Sequence, residues 1–299
     1  MIKKIIIARH QGFCMGVKRA INIAEETARD EDGKVTIMNE IVHNEAVVSK
    51  FLEKGVGQSS SLDDINDGVL IISAHGVAPD IKENAASKGL KVVDATCPLV
   101  ERIYQIIEKA VDNDFHIIHY GEPGHDETQG IIGHAPNDIT VASNKEELLA
   151  LPNFKNSKLG LTVQTTAHQE SFNDIVKLAK EKWPHIQIFN TICNATTQRQ
   201  SAILDLSPKV DMVLVVGSKS SANSNRLAQI ADAITGNGIL ISSANDIQLS
   251  WFKKNIEKVG ISAGASTPQF LVDETIERLI QISDGKAEVI LPERRNKKK

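Results

Sequence analysis

Short runs rich in Val, Ile and Leu alternate with helix-like stretches along the whole 299-residue chain. No other feature restricts the fold as much. A strand, a helix and a second parallel strand connect with a right-handed crossover, and a succession of such units builds parallel sheets covered by helices. Strands are expected over residues 4–9, 35–38, 69–74, 91–96, 116–120, 139–142, 159–164, 187–190, 212–217, 239–242 and 259–263. Most end in Gly, Ser, His or Thr, as buried parallel strands do. Helices are expected between them, over 17–29, 45–54, 79–88, 99–112, 145–151, 168–183, 197–206, 225–235 and 268–283. In open sheets of this kind ligands bind beyond the carboxyl ends of the strands, in the loops that enter helices.

Composition narrows the classes of function. A hydrophobic content of 41% with 24% charged residues predicts a soluble globular protein with a true core. The net charge of −4 offers no global attraction to nucleic acid or to an anionic membrane. No apolar run approaches the roughly 20 residues that span a bilayer. The opening MIKKIIIARH reads as a first strand and not as a signal peptide. Three cysteines cannot close a disulfide framework, so a reducing, cytoplasmic location is expected. The basic stretch Glu293 to Lys299 reads as a solvated end.

The three cysteines fall one to each third of the chain, at Cys14, Cys97 and Cys193. Each follows an apolar run and precedes a helix-like run. The chain is therefore expected to form three α/β lobes, residues 1–96, 97–192 and 193–283, with the tail 284–299 packing on the first. A lone cysteine is commonly a small buried hydrophobe. Here, however, Gly12 and Gly16 flank Cys14, Pro98 follows Cys97 at a first helical position, and Asn194-Ala195-Thr196-Thr197 after Cys193 reads as a helix cap. The field at a helix N-terminus suits a negatively charged sulfur. The shared setting points to one three-thiolate site with a fourth position open. No C-x-x-C pair is present, so a structural zinc site is not expected. A catalytic zinc on three thiolates stays open as an alternative. An iron–sulfur cluster suits the soft ligands better, because three cysteines leave one iron of a four-iron cluster without a protein thiolate.

Polar residues gather in the same class of loop. His43, His75 and His125 each lie where a strand hands over to a helix or to a Gly- and Pro-rich loop. Imidazolium groups and helix N-terminal N–H groups both suit an anion. The loops 217–225 and 264–268 are built from Gly, Ala, Ser, Asn and Thr, whose small side chains let backbone N–H groups crowd round a phosphate. Neither matches the G-x-x-x-x-G-K-[ST] pattern of a P-loop. The lack of a dense Arg cluster predicts one small mono- or diphosphate and not a polymer. Glu127, on the loop of His125, is a candidate proton donor. Thr165 and Thr166 are placed to orient a substrate hydroxyl or water. A cluster-bearing redox sensor and a zinc-dependent hydrolase are the competing classes.

These residues resemble the 4-hydroxy-3-methylbut-2-enyl diphosphate reductases, the IspH/LytB family of the non-mevalonate isoprenoid pathway. The matching segments are Gly12 to Val17, Glu40 to Asn44, Ser73 to Gly76, Asp94 to Pro98, His125 to Glu127, Gln164 to Thr166, Cys193 to Gln200, Gly217 to Arg226 and Gly264 to Pro268, in family order. The resemblance implies a trefoil of three pseudo-equivalent α/β lobes with mostly parallel sheets around one [4Fe–4S] cluster per chain, held by Cys14, Cys97 and Cys193. It implies that His43, His75, Ser221, Asn223 and Ser266 take the substrate's diphosphate, with the backbone of Ala222 and the side chain of His125 beside it. Thr165 and Glu127 would meet the terminal hydroxyl. Glu127 would supply protons with His125 and Thr165 in support, and the products would be isopentenyl and dimethylallyl diphosphate. Electrons would come from a ferredoxin or flavodoxin. Two positions depart from the family pattern: Ala222 stands where many members have Ser, and Asp126 where Pro is common.

Overall fold

The structure, a computed structural model, describes residues 2–154, 158–252 and 255–292; the basic tail at 293–299 lies outside them. In chain order its strands are β1 (Lys4–Ile7), β2 (Val35–Met38), β3 (Gly57–Ser59), β4 (Val69–Ile72), β5 (Lys91–Asp94), β6 (Phe115–Tyr120), β7 (Ile139–Ala142), β8 (Lys158–Val163), β9 (Gln187–Ile188), β10 (Met212–Val216), β11 (Gly238–Ile241), β12 (Lys258–Ala263) and β13 (Glu288–Ile290). The α-helices are α1 (Met15–Asp30), α2 (Glu45–Glu53), α3 (Pro79–Ser87), α4 (Pro98–Val111), α5 (Asp126–Gly133), α6 (Lys145–Ala150), α7 (Gln169–Lys182), α8 (Asn194–Leu206), α9 (Ala222–Thr235) and α10 (Gln269–Ile282). The expected α/β architecture is present: three separate sheets, with every pairing among the described residues parallel.

The chain divides into two compact units. One holds the described parts of Met1–Cys14, His43–Ala46 and Asn194–Lys299, and carries a sheet of order β11-β10-β12-β1-β13. The other holds Met15–Val42 and Val47–Cys193, and carries two sheets, β3-β2-β4-β5 and β7-β6-β8-β9. Counted from β10, β2 and β6, the three sheets share the order second, first, third, fourth, and the five-stranded sheet adds β13 beyond it. In the sheet of β10 to β12 the fourth place is taken by β1, from the opposite end of the chain. This differs from the expected lobe of residues 1–96. Lys4–Ile7 pairs with Lys258–Ile261 on one side and with Glu288–Ile290 on the other, and with no strand of residues 35–94. The first strand is as apolar as any other, so its sequence carries no mark of which sheet it will join.

The strands read as continuous apolar runs because both faces of each sheet are covered. All five residues of β10 are buried. Leu214 and Val216 pack with Ile5, Ile261 and the α10 residues Leu271 and Leu279, whereas Val213 and Val215 pack with Ile203 of α8 and Leu227 and Ala231 of α9. Alternation along one strand thus serves two helical layers. The sheet of β6 to β9 repeats this, with Ile118, Leu161 and Val163 against Phe172 and Ile175 of α7, and Ile117 against Ile103 and Ile107 of α4. Pro79 and Pro98 open α3 and α4, where proline forfeits no intrahelical hydrogen bond. Among the described residues no helix is long and apolar enough to cross a membrane.

Three elements lie outside the expected set. β3 is a polar edge strand of three residues, and β13 a short edge strand whose first residue is exposed. Helix α5 runs where a loop is expected, and it carries Glu127 in its first turn. Two glycines depress its helix propensity. They are needed for contact: a Cβ on Gly130 would stand 2.4 Å from the Tyr104 hydroxyl, and one on Gly133 would stand 2.1 Å from the Ala78 methyl. Tertiary packing of α5 onto α4 and the start of α3 therefore overrides a weak local signal.

Ile5 is fully buried at the centre of this cross-terminal sheet. Replacing it with Ala should cost about 2–5 kcal/mol in denaturant unfolding. Leu52→Ala, at a side chain 52% exposed, should change stability by less than about 0.5 kcal/mol. Equal effects of the two would show that β1 is not part of the core.

Candidate active site

The shared strand order locates the site residues. Where neighbouring strands send their connections to opposite sides, the loops at their carboxyl ends part and leave a crevice. In a sheet of order second, first, third, fourth, that point lies between the first and third strands. The loops after first strands carry His43 (β2), His125 (β6) and Ser221 (β10), and those after third strands carry His75 (β4), Thr165 (β8) and Ser266 (β12). The loops after the fourth-place strands carry the cysteines: Cys97 after β5, Cys193 after β9 and Cys14 after β1. In each case the next residue, Pro98, Asn194 or Met15, begins a helix.

In the two-sheet unit the polar residues form one connected run. His125 caps α5, its Nδ1 accepting from the Glu127 N–H at 3.1 Å. An accepting Nδ1 carries no proton, so the neutral ring holds its proton on Nε2. Glu127, 2% exposed, is gripped at both carboxylate oxygens. The Thr165 N–H donates to Oε1 at 2.7 Å, and the Thr165 hydroxyl donates to Oε2. The Thr165 carbonyl in turn accepts from the Cys193 N–H at 3.1 Å. Thr165 thereby fixes the Glu127 carboxylate and the start of a thiol-bearing loop together.

His75 joins this run from its side. Its ring meets that of His125 edge-on, with centroids 5.7 Å apart, and its Nδ1 lies 3.7 Å from Asp126 Oδ2 and 3.5 Å from Ser73 Oγ. The Tyr104 hydroxyl donates to the His75 carbonyl at 3.2 Å. Burial, with the carboxylate of Glu127 adding to it, pushes the Tyr104 phenol up, so it stays a neutral donor. The Cys97 N–H bonds the Ala74 carbonyl at 3.0 Å, which fixes this thiol-bearing loop beside that of His75.

The other unit brings its own set together. The Cys14 N–H bonds the Ala265 carbonyl at 3.0 Å, and the Ser266 hydroxyl donates to the His43 carbonyl at 2.9 Å. Ser221 caps α9, its Oγ accepting from the Ser224 N–H at 3.3 Å. Ala222 is the first residue of that helix, where a backbone N–H has no partner inside the helix. Asn223 follows, 4% exposed, with neither its amide oxygen nor its amide nitrogen hydrogen-bonded. A fully orphaned buried amide costs about 1–3 kcal/mol unless a ligand satisfies it. The Asn223 amide lies at the N-terminal end of a 14-residue helix, where the helix field favours an anion.

Several contributors escape sequence reasoning. Arg199, 5% exposed, spans the Gly12 carbonyl through Nη2 and the Ala195 carbonyl through Nη1 at 2.8 Å, bracing the chain before Cys14. Gln164 accepts from the Glu122 N–H at 2.9 Å and donates to Thr166 Oγ1 at 3.0 Å. Thr166 is thus engaged in holding its own turn. Ser73, Gln164 and Arg199 lie within the motif segments named above, with no role assigned to them there; nothing singled out Tyr104.

Comparison with known proteins identifies the family. A family model described as LytB protein matches residues 5–280. A 4-hydroxy-3-methylbut-2-enyl diphosphate reductase of Geobacter metallireducens is 38% identical over 283 residues, covering 95% of this chain and 99% of that protein. One of Wolbachia pipientis is 40% identical over 282 residues, covering 92% and 91%. Among solved structures, the E-1-hydroxy-2-methyl-but-2-enyl-4-diphosphate reductase of Plasmodium falciparum superposes with a TM-score of 0.92 at 31% identity, covering 99% of this chain and 94% of that one. With nine loops of matching chemistry, a family model spanning almost its whole length and relatives of this similarity, the chain belongs to the LytB family of 4-hydroxy-3-methylbut-2-enyl diphosphate reductases.

Proposed function

We propose that this chain is a reductase converting (E)-4-hydroxy-3-methylbut-2-enyl diphosphate to isopentenyl and dimethylallyl diphosphate, the terminal step of the non-mevalonate pathway. The reaction takes two electrons and two protons, breaks the allylic C–O bond and releases the hydroxyl as water. The observation that carries this reading is the buried carboxyl of Glu127, held at both oxygens by Thr165 on a residue that also anchors the loop of Cys193.

The donor set fits an iron–sulfur cluster. Three thiols, each directly ahead of a helix, supply soft anionic ligands in an electrostatic setting that favours them. Cys14, Cys97 and Cys193 would hold a [4Fe–4S] cluster, one per chain. When bound, such a cluster supplies electrons and an iron carrying no protein thiolate. A ferredoxin or flavodoxin would reduce it, in the cytoplasm.

The remaining steps belong to side chains. Asn223, Ser221, Ser266 and His43, with the Ala222 N–H, would bind the diphosphate, as would His75. Asn223 arrives with its amide unsatisfied, so phosphate oxygens gain a donor that the folded protein has already desolvated. Glu127 would deliver the proton to the departing hydroxyl. Its Oε2 partner is a hydroxyl, which donates to the carboxylate and, after rotation, accepts from the carboxylic acid. Thr165 therefore serves both protonation states with only a rotation of its hydroxyl. His125, with its proton on Nε2, would help orient the substrate and relay protons.

Two measurements test these roles. In oxygen-protected holoprotein, oxidation of a reduced dye on adding the hydroxylated diphosphate should fall by about 10²- to 10⁴-fold in kcat for Glu127→Gln, with iron content unchanged. Full turnover by that variant would remove Glu127 as proton donor. Asn223→Leu should raise KM about tenfold or more while leaving the melting temperature equal or higher, because it removes a buried orphan amide. An unchanged KM would remove Asn223 from the diphosphate site.

A further inference from the structure

We infer that His119 is a positioning residue for Glu127, its imidazole bracing the first turn of α5 at Thr128 against strand β8 at Thr162. This rests on the role given to Glu127 above. His119 lies on β6 directly opposite Thr162 of β8 in the ladder, and both are fully buried. Its Nδ1 and the Thr162 Oγ1 are 3.0 Å apart. The other nitrogen, Nε2, is buried without a hydrogen-bond partner, and so is the hydroxyl of Thr128, the residue after Glu127. Both atoms border one small space. A Cβ on Gly121 would stand 2.7 Å from His119 Nε2 and 3.0 Å from Thr128 Oγ1. Because Gly121 leaves that space open, the two can join directly or through one shared water.

Burial pushes the His119 imidazole down to about 3. The ring is therefore neutral at physiological pH, with one nitrogen that donates and one that accepts. Such a ring can bond two threonines at once, donating to one hydroxyl and accepting from the other, which an aliphatic side chain cannot do. Its two partners flank the reacting pair in sequence: Thr128 directly follows Glu127, and Thr162 stands three residues before Thr165. A purely packing role would be met by an aliphatic residue, as at the neighbouring Ile117 and Ile118, with no buried polar atom to satisfy.

The test uses holoprotein purified without oxygen and compares wild type with His119→Asn, His119→Gln and Thr128→Val. Asn reproduces the position of Nδ1 and so keeps the Thr162 bond; Gln reproduces the position of Nε2. His119→Asn and Thr128→Val should each lower kcat by roughly 10- to 100-fold with KM within about twofold, and Gln should restore most of the loss. Equal kcat for Asn and Gln, or a change confined to KM, overturns the proposal. If His119→Asn does not fold, Thr128→Val carries the same kcat prediction alone. Melting temperatures of the two single variants and their double then report the bridge independently of any reaction. Non-additive shifts support it and additive shifts overturn it, even in a protein found to lack reductase activity.

Discussion

Everything chemical in this protein hangs on one join, made three times: the fourth-place strand of a parallel sheet, a short turn, a cysteine, then a helix. The strand fixes where the loop leaves the sheet, and the thiol sits at the positive end of the helix that follows it. The third instance is completed only by pairing the two ends of the chain, with β1 between β12 and β13. Cys14 is therefore the thiol whose placement depends on closure of the last sheet around the first strand. Loss of that pairing would release the loop of Cys14 while leaving the loops of Cys97 and Cys193 anchored to Ala74 and Thr165.

A second constraint is the amount of unsatisfied or tightly committed polarity held in the interior. Asn223 keeps an orphan amide, and Glu127 keeps a carboxyl almost wholly out of water. Each is costly unless paired. Glu127 is paired within the protein and Asn223 is not, which matches the proton-donor role proposed for the first and the anion-binding role proposed for the second. Helix α5 serves the first purpose by lying close against Ala78 and Tyr104, which its glycines permit. That approach sets His125, Asp126 and His75 side by side.

Much of this was legible in the sequence, and the gaps have physical causes. The alternation of strand and helix gave the parallel sheets, because continuous apolar runs such as Val69–Ile72 and Met212–Val216 need cover on both faces. The cysteines stood out through Pro98, Asn194 and the glycines near Cys14, all local signals. Membership of β1 in the last sheet was not legible, since a register between residues 4–7 and 258–261 leaves no local trace. Nor was α5, whose helicity comes from contact with α3 and α4 and not from propensity. His119 and Tyr104 act through burial and through partners distant in sequence, which a single chain read locally does not display.

The central claim is that the three helix-leading cysteines hold a redox-active cluster together. Its most direct measurement is the iron and acid-labile sulfide content of anaerobically purified protein, beside that of Cys14→Ala, Cys97→Ala and Cys193→Ala. The account predicts about four iron and four sulfide per chain in wild type, with a large loss in every variant, including the one at the N-terminal strand. Stoichiometric zinc without sulfide, or an iron content that survives loss of any one of the three thiols, would contradict it.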